Sequence, residues 1–197
     1  MRIFLCLIIS VCLLFSCGDD QSRKGDQLFE QGKYEAAIEQ YNDYLEYNPE
    51  DLKSIYNRGR AYEELGQFDK SLANYEEAID IEPKHANALM SIGKYHFRNQ
   101  NYADASFYFS KASEVKKSDP QVFYLLGRSY HKLGKTGEAM EAYNQAISQK
   151  KNYGEAYLYR GALKVYQGKK SSGCADIRTA QSLNVPEAEA ALQEYCN

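Results

Sequence analysis

The fold is set by residues 52–85, LKSIYNRGRAYEELGQFDKSLANYEEAIDIEPKH, and by residues 86–119, ANALMSIGKYHFRNQNYADASFYFSKASEVKKSD. Both stretches have glycine at their eighth position, an aromatic residue at the twenty-fourth and alanine at the twenty-seventh. The register continues in both directions, since glycines recur at one constant interval, at Gly25, Gly59, Gly93, Gly127 and Gly161. A constant period of this length indicates one supersecondary unit repeated along the chain.

Each unit predicts two amphipathic helices joined by a tight turn. Apolar residues three or four positions apart line one face of each helix. Small residues mark the places where two helices approach closely, and we expect an aromatic row to fill the groove between neighbouring units. That row is Tyr41, Tyr75, Phe109 and Tyr143, with Ile177 in the last unit.

A second glycine marks the turn inside four of the units, at Gly32, Gly66, Gly134 and Gly168. The third unit has Gln100-Asn101 instead, and we expect Asn101 to take the left-handed conformation, because asparagine is the next-best residue after glycine there. Pro49 and Pro83 end the second helices of the first two units, since proline cannot continue a helix. The predicted helices are 20–31, 34–47, 52–65, 68–81, 86–99, 102–116, 120–133, 136–149, 154–167 and 170–183, followed by a capping helix over 187–196.

This pattern resembles the tetratricopeptide repeat. The resemblance covers about residues 18–185 and implies repeats near 18–51, 52–85, 86–119, 120–153 and 154–187. It implies an all-α, right-handed superhelical solenoid of five helical hairpins with a C-terminal capping helix. Since no long linker interrupts the register, we expect the solenoid to occupy residues 25–197 as one domain.

Residues 1–16 have the features of a signal peptide. Arg2 precedes an apolar run from Ile3 to Phe15, which at about 1.5 Å per residue is too short to span a bilayer core of roughly 30 Å. The run ends at Leu14-Phe15-Ser16-Cys17, which resembles the lipobox of bacterial lipoproteins. This resemblance implies cleavage before Cys17, a lipid on its thiol and a short tether over residues 17–24. An ordinary secretory signal that is cut near Ser16 is the alternative.

A lipid-anchored chain of this kind is expected in the cell envelope of a bacterium. Two or three acyl chains meet the roughly two signals that stable membrane anchoring needs. Asp19-Asp20, directly after the cysteine, resembles the surface-export signal of some Gram-negative lineages. We therefore expect the outer membrane, on either its periplasmic or its surface face.

Composition and motifs argue against nucleic-acid binding and against catalysis. The formal net charge is -3, whereas domains that bind nucleic acid are usually clearly basic. Gly134-Lys135-Thr136 lacks the earlier glycine and the preceding strand of a phosphate-binding loop. No two of His85, His96 and His131 stand three or four positions apart, as a helical metal pair requires. The sequence therefore predicts a protein that is not an enzyme and that has no cofactor or metal site.

The resemblance to tetratricopeptide repeats implies that the first helices of the units line a concave groove for an extended peptide or a partner helix. Arg60, Lys94 and Arg128 occupy the same position in consecutive units and form a cationic ladder there, with aromatic residues between them. Because arginine and aromatic residues are typical of binding hot spots, we expect a protein or peptide partner with an acidic segment. The predicted partner-binding residues are Tyr56, Arg60, Lys94, Phe97, Arg98, Tyr124, Arg128, His131 and Lys132. Ordinary solvated charges are the alternative.

The predicted function is that of a membrane-anchored scaffold for protein–protein interaction. The alternative is a structural, non-catalytic subunit of an envelope assembly that contacts its partners through its convex face. The same register places Lys53, Glu63, Met90 and Leu158 on the groove. The carboxylate clamp of the members that bind chaperone tails is not matched, so recognition of a chaperone C-terminus is not inferred.

Cys174 and Cys196 are the remaining cysteines of the mature chain. They lie at similar distances on either side of the turn Asn184-Val185-Pro186, which in an antiparallel helix pair brings two residues side by side, as a disulfide requires. The oxidising compartment outside the inner membrane permits the bond. Some tetratricopeptide lipoproteins look similar here, ending with a Cys-x-Asp helix and a terminal cysteine. A pair of buried reduced thiols is the alternative.

Overall fold

The computed structural model describes residues 15–196, with side chains from Ser22 onward. Eleven helices and no strand occur in this part of the chain, which confirms the all-α fold. In chain order the helices are α1 Phe15–Glu30, α2 Tyr34–Tyr47, α3 Leu52–Glu64, α4 Phe68–Ile81, α5 Ala86–Arg98, α6 Tyr102–Val115, α7 Pro120–Lys132, α8 Thr136–Gln149, α9 Gly154–Tyr166, α10 Lys170–Ser182 and α11 Ala188–Tyr195.

The bounds of α2 to α11 agree with the predicted bounds to within one residue. The first helix differs, because it begins at Phe15 rather than at residue 20. Residues 17–24, which the sequence assigned to a tether, are therefore helical; the segment has no proline, and Gly18 alone costs a helix only about 1 kcal/mol. Residues 1–14 of the predicted signal peptide and the side chain of Cys17 lie outside what the structure describes.

The described chain forms two compact parts, each containing at least two repeats. From here on they are called the first and the second unit, and the single repeats are called hairpins. The first unit contains the hairpins α1–α2 and α3–α4 and ends at Ala88, three residues into α5. The second unit begins at Leu89 and contains the rest of α5, then α6 and the hairpins α7–α8 and α9–α10, and finally α11.

Each hairpin is closed by a side chain that lies directly on the repeated glycine of its first helix. A Cβ atom placed on Gly25 or Gly93 would lie 2.6 Å from a ring carbon of Tyr41 or Phe109. Gly59 and Gly127 face Tyr75 and Tyr143 in the same way, and the ring is replaced at Gly161 by the side chain of Ile177. The four rings are at most 2% exposed. The interval at which the glycines recur in the sequence is therefore the interval at which this contact between a glycine and a large side chain recurs in the structure.

The aromatic row does more than the prediction assigned to it. We expected it to fill the groove between neighbouring repeats, and each ring also packs inside its own hairpin on the glycine. Tyr143 also packs against Leu163 of the next hairpin, and Phe109 packs against Leu126. In the third and fourth hairpins one side chain therefore joins the two helices of the hairpin and the first helix of the hairpin that follows.

The turn inside the third hairpin corrects one prediction. Four turn glycines have positive φ values between 70° and 78°. In the third hairpin Gln100 takes the left-handed conformation, with φ 62°, and Asn101 has φ -81°. The register decides this, because Gln100 stands in the place that the turn glycines occupy in the other hairpins.

The C-terminal end of the fold is closed by α11 and by a disulfide. Ala188 of α11 joins a buried cluster with Leu158, Ile177 and Val185. Cys174 of α10 and Cys196 are bonded through their sulfurs, with 5.7 Å between their Cα atoms. On the chain-entropy account, closing a loop of this length stabilises the fold by about 3 kcal/mol.

The glycine–ring contact can be tested by adding a side chain at two glycines with opposite surroundings. Gly93→Leu must displace Phe109 and should lower the free energy of unfolding by about 1–3 kcal/mol. Gly137→Leu is the matched control, since a Cβ there meets nothing within 4 Å, and it should change stability by no more than about 0.5 kcal/mol. Urea unfolding followed by circular dichroism measures both. Equal stability of the two variants would contradict the packing described above.

Candidate partner-binding site

The helix α7 organises the candidate site in the second unit. Tyr124, Arg128 and His131 are four and three residues apart, so their side chains lie on one face of this helix. Phe97 of α5 and Tyr159 of α9 approach that face from either side. Three first helices of consecutive hairpins therefore contribute to one surface.

The guanidinium of Arg128 lies among three aromatic rings. Its Cζ atom is 4.9 Å from the ring centroid of Phe97, 4.9 Å from that of Tyr159 and 5.8 Å from that of Tyr124. In the described part of the chain Arg128 forms no salt bridge. Ring faces attract a cation, so the rings hold the guanidinium although no carboxylate of the described residues is paired with it.

The tyrosines around Arg128 form a connected group. The ring of Tyr124 lies 5.1 Å from that of Tyr153 and 5.9 Å from that of Tyr159, measured between centroids. Tyr159 is in turn 6.3 Å from Tyr143, which is the buried ring of the fourth hairpin. Burial raises the pKa of Tyr124 to about 12, although the nearby Arg128 opposes the rise. The rings around Arg128 are therefore connected to the buried core through Tyr143.

His131 extends this surface by one helical turn beyond Arg128. Its Nδ1 atom is 3.4 Å from the hydroxyl of Tyr143. Burial lowers the pKa of the His131 imidazole, and the positive charges of Lys132 and Arg128 lower it further. The positive potential that depresses this pKa is the same one that would attract an anionic ligand.

The remaining predicted cations of the second unit differ from Arg128 in their exposure. Lys94, Arg98 and Lys132 are exposed, whereas Arg128 is half-buried. Lys94 and Phe97 are three residues apart on α5, so they share a face of that helix. The structure thus separates one guanidinium held among rings from three exposed cations.

In the first unit Arg60 has a similar environment. Its Cζ atom lies 4.4 Å from the ring centroid of Phe29 on α1. Tyr56 lies between Tyr75 and His85, with ring centroids 5.5 Å and 5.0 Å away. Of the predicted ladder, Arg60 therefore belongs to the first unit, and Lys94 and Arg128 belong to the second.

Four residues that were predicted on the groove have other roles. Met90 and Leu158 are buried, at 6% and 8% exposure, because their helix faces turn into the core. Lys53 donates to the carboxylate of Asp26, and Glu63 accepts a hydrogen bond from the hydroxyl of Tyr75. Met90 and Leu158 are therefore not available on a groove surface, whereas Lys53 remains exposed.

Sequence reasoning also missed two aromatic partners of the arginines. Phe29 lies in the first repeat at the register position of Phe97, whereas Tyr159 lies in the fifth repeat outside any row of repeated aromatics. The residues that correspond to Tyr159 in the two preceding repeats are Leu125 and Ser91, so the period gave no signal. Only the packing of first helices side by side brings these rings to the guanidinium.

No arrangement for catalysis by a metal is found in the described residues. No group of three or more histidine, cysteine, aspartate or glutamate side chains in that part of the chain could hold an ion. None of the described helices combines the length and the apolar character needed to cross a bilayer.

Three protein families match successive parts of the chain. The tetratricopeptide repeat family matches residues 22–81 and a second family described as TPR repeat matches residues 127–168. Residues 74–146 match the family of anaphase-promoting complex, cyclosome, subunit 3. With the fold above, these matches decide the family. The chain is a tetratricopeptide-repeat protein.

Solved structures share the fold of this tetratricopeptide-repeat protein. MamA from Desulfovibrio magneticus RS-1 has a TM-score of 0.78 at 16% identity and covers 85% of this chain and 94% of its own. YrrB, described as a TPR protein with an unusual peptide-binding site, has a TM-score of 0.78 at 16% identity, over 88% of this chain and 90% of its own. At such identities the likeness concerns the fold alone.

Among curated proteins, the Hsp70-Hsp90 organizing protein of Triticum aestivum is 38% identical over 47 residues, which are 24% of this chain and 8% of that protein. The tetratricopeptide-repeat protein described here therefore spans a small part of that relative. The match is limited to about one repeat and a half.

The depressed pKa of His131 predicts a pH dependence of stability. At pH values well above 6.5 the imidazole is neutral in both states and has no effect. As the pH falls through 6.5 the unfolded chain takes up the proton first, so the free energy of unfolding should decrease until the pH passes the lower pKa of the folded state. His131→Gln should remove this part of the decrease in urea unfolding between pH 7.5 and 5.5. An imidazole titration by NMR with a midpoint above 6.5 would contradict the described surroundings.

Proposed function

We propose that this tetratricopeptide-repeat protein is a membrane-anchored, non-catalytic scaffold whose second unit captures an acidic segment of a partner protein. The observation that supports this is the half-buried guanidinium of Arg128, held by Phe97, Tyr124 and Tyr159 and not paired with a carboxylate in the described chain. Proteins of this fold bind peptides or proteins, and YrrB is described as having a peptide-binding site.

The chemistry of the site favours a carboxylate ligand. The planar guanidinium presents its N–H donors in a fork that matches a carboxylate with two parallel hydrogen bonds. Because the rings already restrict the rotamers of Arg128, less side-chain entropy is lost when a ligand binds. Lys94, Arg98 and Lys132 add long-range attraction, which salt screens over about 8–10 Å. The site would therefore bind one acidic side chain strongly and attract the acidic residues next to it weakly.

The Arg128 site can be tested with the partner that the full chain captures from detergent-solubilised envelope. Arg128→Glu should weaken binding of the acidic segment of that partner by about tenfold or more, since a central arginine is a hot spot. Arg178→Glu is the control, because it reverses one exposed arginine on α10. Binding is measured by titration calorimetry, with circular dichroism to verify folding. Combining Arg128→Glu with reversal of Lys94, which belongs to the same unit, should weaken capture further. Equal binding by Arg128→Glu and Arg178→Glu would move the site elsewhere.

We propose that Cys17 carries the lipid that tethers this scaffold to the outer membrane. The motivation is the apolar run that ends at Ser16-Cys17, followed by the polar residues Gly18-Asp19-Asp20. The tetratricopeptide repeats then start almost immediately after the anchor, so the first unit would stay close to the bilayer.

The anchor predicts a difference between two cysteine variants. Cys17→Ser should leave the chain unprocessed or released from the membrane, because serine offers no thiol for the lipid. Cys12→Ser lies inside the segment that is removed and should behave like the wild type. Membrane fractionation and the intact mass of the mature chain measure the outcome. Processing of Cys17→Ser at the wild-type position would show a general secretory signal instead.

A further inference from the structure

The outer surface between the two helices of a hairpin is occupied differently in each repeat. In the second hairpin it is filled by Arg58, which directly precedes the repeated glycine Gly59. The Arg58 guanidinium donates to the side chains of Asn74 and Glu77 on α4 and to Asn42 on α2. An arginine of the first helix thus spans the hairpin and satisfies the acceptors of the second helix.

The fifth hairpin has the same device. Arg160 precedes Gly161 and donates two hydrogen bonds to the carboxylate of Asp176, at 2.7 Å and 2.8 Å. A third hydrogen bond goes to Asn144 of the preceding hairpin, which corresponds in the register to the partner Asn42 of Arg58. Only 16% of the Arg160 side chain is exposed. Two of the hairpins therefore have an arginine directly before the repeated glycine, and two partners of each arginine stand at equivalent positions of the repeat.

The third hairpin fills the same place with rings. Tyr108 occupies the register position of Asn74 and Asp176, and it stacks on His96 with 5.4 Å between centroids and 6° between planes. The carboxylate of Asp104 lies 3.8 Å from Nδ1 of His96. In three hairpins a large side chain thus covers this surface.

The fourth hairpin lacks any such side chain. Leu126 stands in the place of the two arginines, and Ala142 stands in the place of Tyr108. An open cavity of about 360 Å³ results, with Phe123 and Tyr130 as its apolar walls. That volume is within the range of roughly 300–1,000 Å³ that ligand pockets span.

The second helix of the fourth hairpin nevertheless presents acceptors for a cation, at positions of its own. Glu138, Glu141 and Gln145 of α8 line the cavity. Within residues 22–196 neither glutamate forms a salt bridge, and both are exposed. Compared with the second and fifth hairpins, the arginine is missing, Ala142 stands in the place of the acceptors Asn74 and Asp176, and Gln145 stands in the place of Glu77. The two carboxylates of the cavity therefore come from positions that hold no acceptor for the arginine in those hairpins.

We propose that this cavity is a second binding site, which takes an arginine side chain from a partner protein. The apolar stem of that arginine lies between Phe123 and Tyr130, and its guanidinium donates to Glu138, Glu141 and Gln145. The arginine of the partner thereby supplies the group that Arg58 and Arg160 supply within their own hairpins. The interaction between a forked donor and carboxylates distinguishes arginine from other side chains that could enter an apolar cavity.

This site is separate from the one that Arg128 forms. Leu126 and Arg128 are two residues apart on α7, so their side chains point to opposite sides of the helix. The Arg128 surface is cationic and suits an acidic segment, whereas the cavity is acidic. The inference therefore goes beyond the proposed function and would stand if that function were wrong.

The test uses an isolated side chain as its probe. N-acetyl-arginine methylamide is titrated into the ¹⁵N-labelled full chain in detergent and followed by the amide shifts of Tyr130, Ala142 and Gln145. We expect saturable binding at about millimolar concentration, as befits a small ligand. The lysine analogue should bind at least about threefold more weakly, and the norleucine analogue should not bind in the same range. Equal binding of arginine and lysine, or of arginine and norleucine, overturns the assignment, as does the absence of shifts.

Variants locate the effect in the cavity. Glu141→Gln should weaken arginine binding about fivefold, because one partially exposed ion pair is lost. Ala142→Tyr introduces the ring that Tyr108 provides in the third hairpin, and it should abolish binding. Glu114→Gln on α6 removes a carboxylate outside the cavity and should bind like the wild type. Arg128→Met should also retain binding. If Ala142→Tyr does not fold, Glu141→Gln still decides, and its wild-type affinity would refute the proposal.

Discussion

The contact between a glycine of one helix and a ring of the next determines the rest of this structure. Because the ring occupies the space that a side chain would need, the two helices of a hairpin can approach at one place and in one rotation. That rotation decides which residues point inward and which point outward along every helix. The same ring reaches the first helix of the following hairpin, as Phe109 and Tyr143 do. In the third and fourth hairpins, local pairing and stacking on the next hairpin are thus secured by one side chain.

A fixed interior leaves the outward positions free to differ among the repeats. The positions before Gly59 and Gly161 hold arginines that are satisfied within the chain, while the position before Gly127 holds a leucine. The same helix, α7, presents a guanidinium among rings on one side and, on the other, an apolar wall of the cavity whose carboxylates come from α8. Repeats of this kind stack a common core and vary their surfaces, so binding specificity resides where the period is broken.

The sequence predicted the helices well because the period reports the core. The repeated glycines and the aromatic row proved to be buried contacts or turn positions, and the bounds of α2 to α11 followed from them. The candidate site was predicted less completely. Arg128 could be named from its place on the first helix, but Tyr159 could not, since it lies outside the repeated rows. Phe29 was not named either, although it shares the register position of Phe97. The cavity of the fourth hairpin was also not predicted. It exists because Leu126 and Ala142 stand where other hairpins have larger or polar side chains, and only the packing of the helices shows that this leaves an open space.

The disulfide between Cys174 and Cys196 changes how the end of the chain responds to tension. A force applied at the C-terminus passes through the sulfur–sulfur bond directly to α10. The chain between the two cysteines, which includes all of α11, is bypassed and bears no load. The cap therefore cannot be peeled away from its end, as an uncrosslinked terminal helix could be. A proteolytic machine that pulls on this terminus would have to open the fifth hairpin first and then pass two strands of chain together.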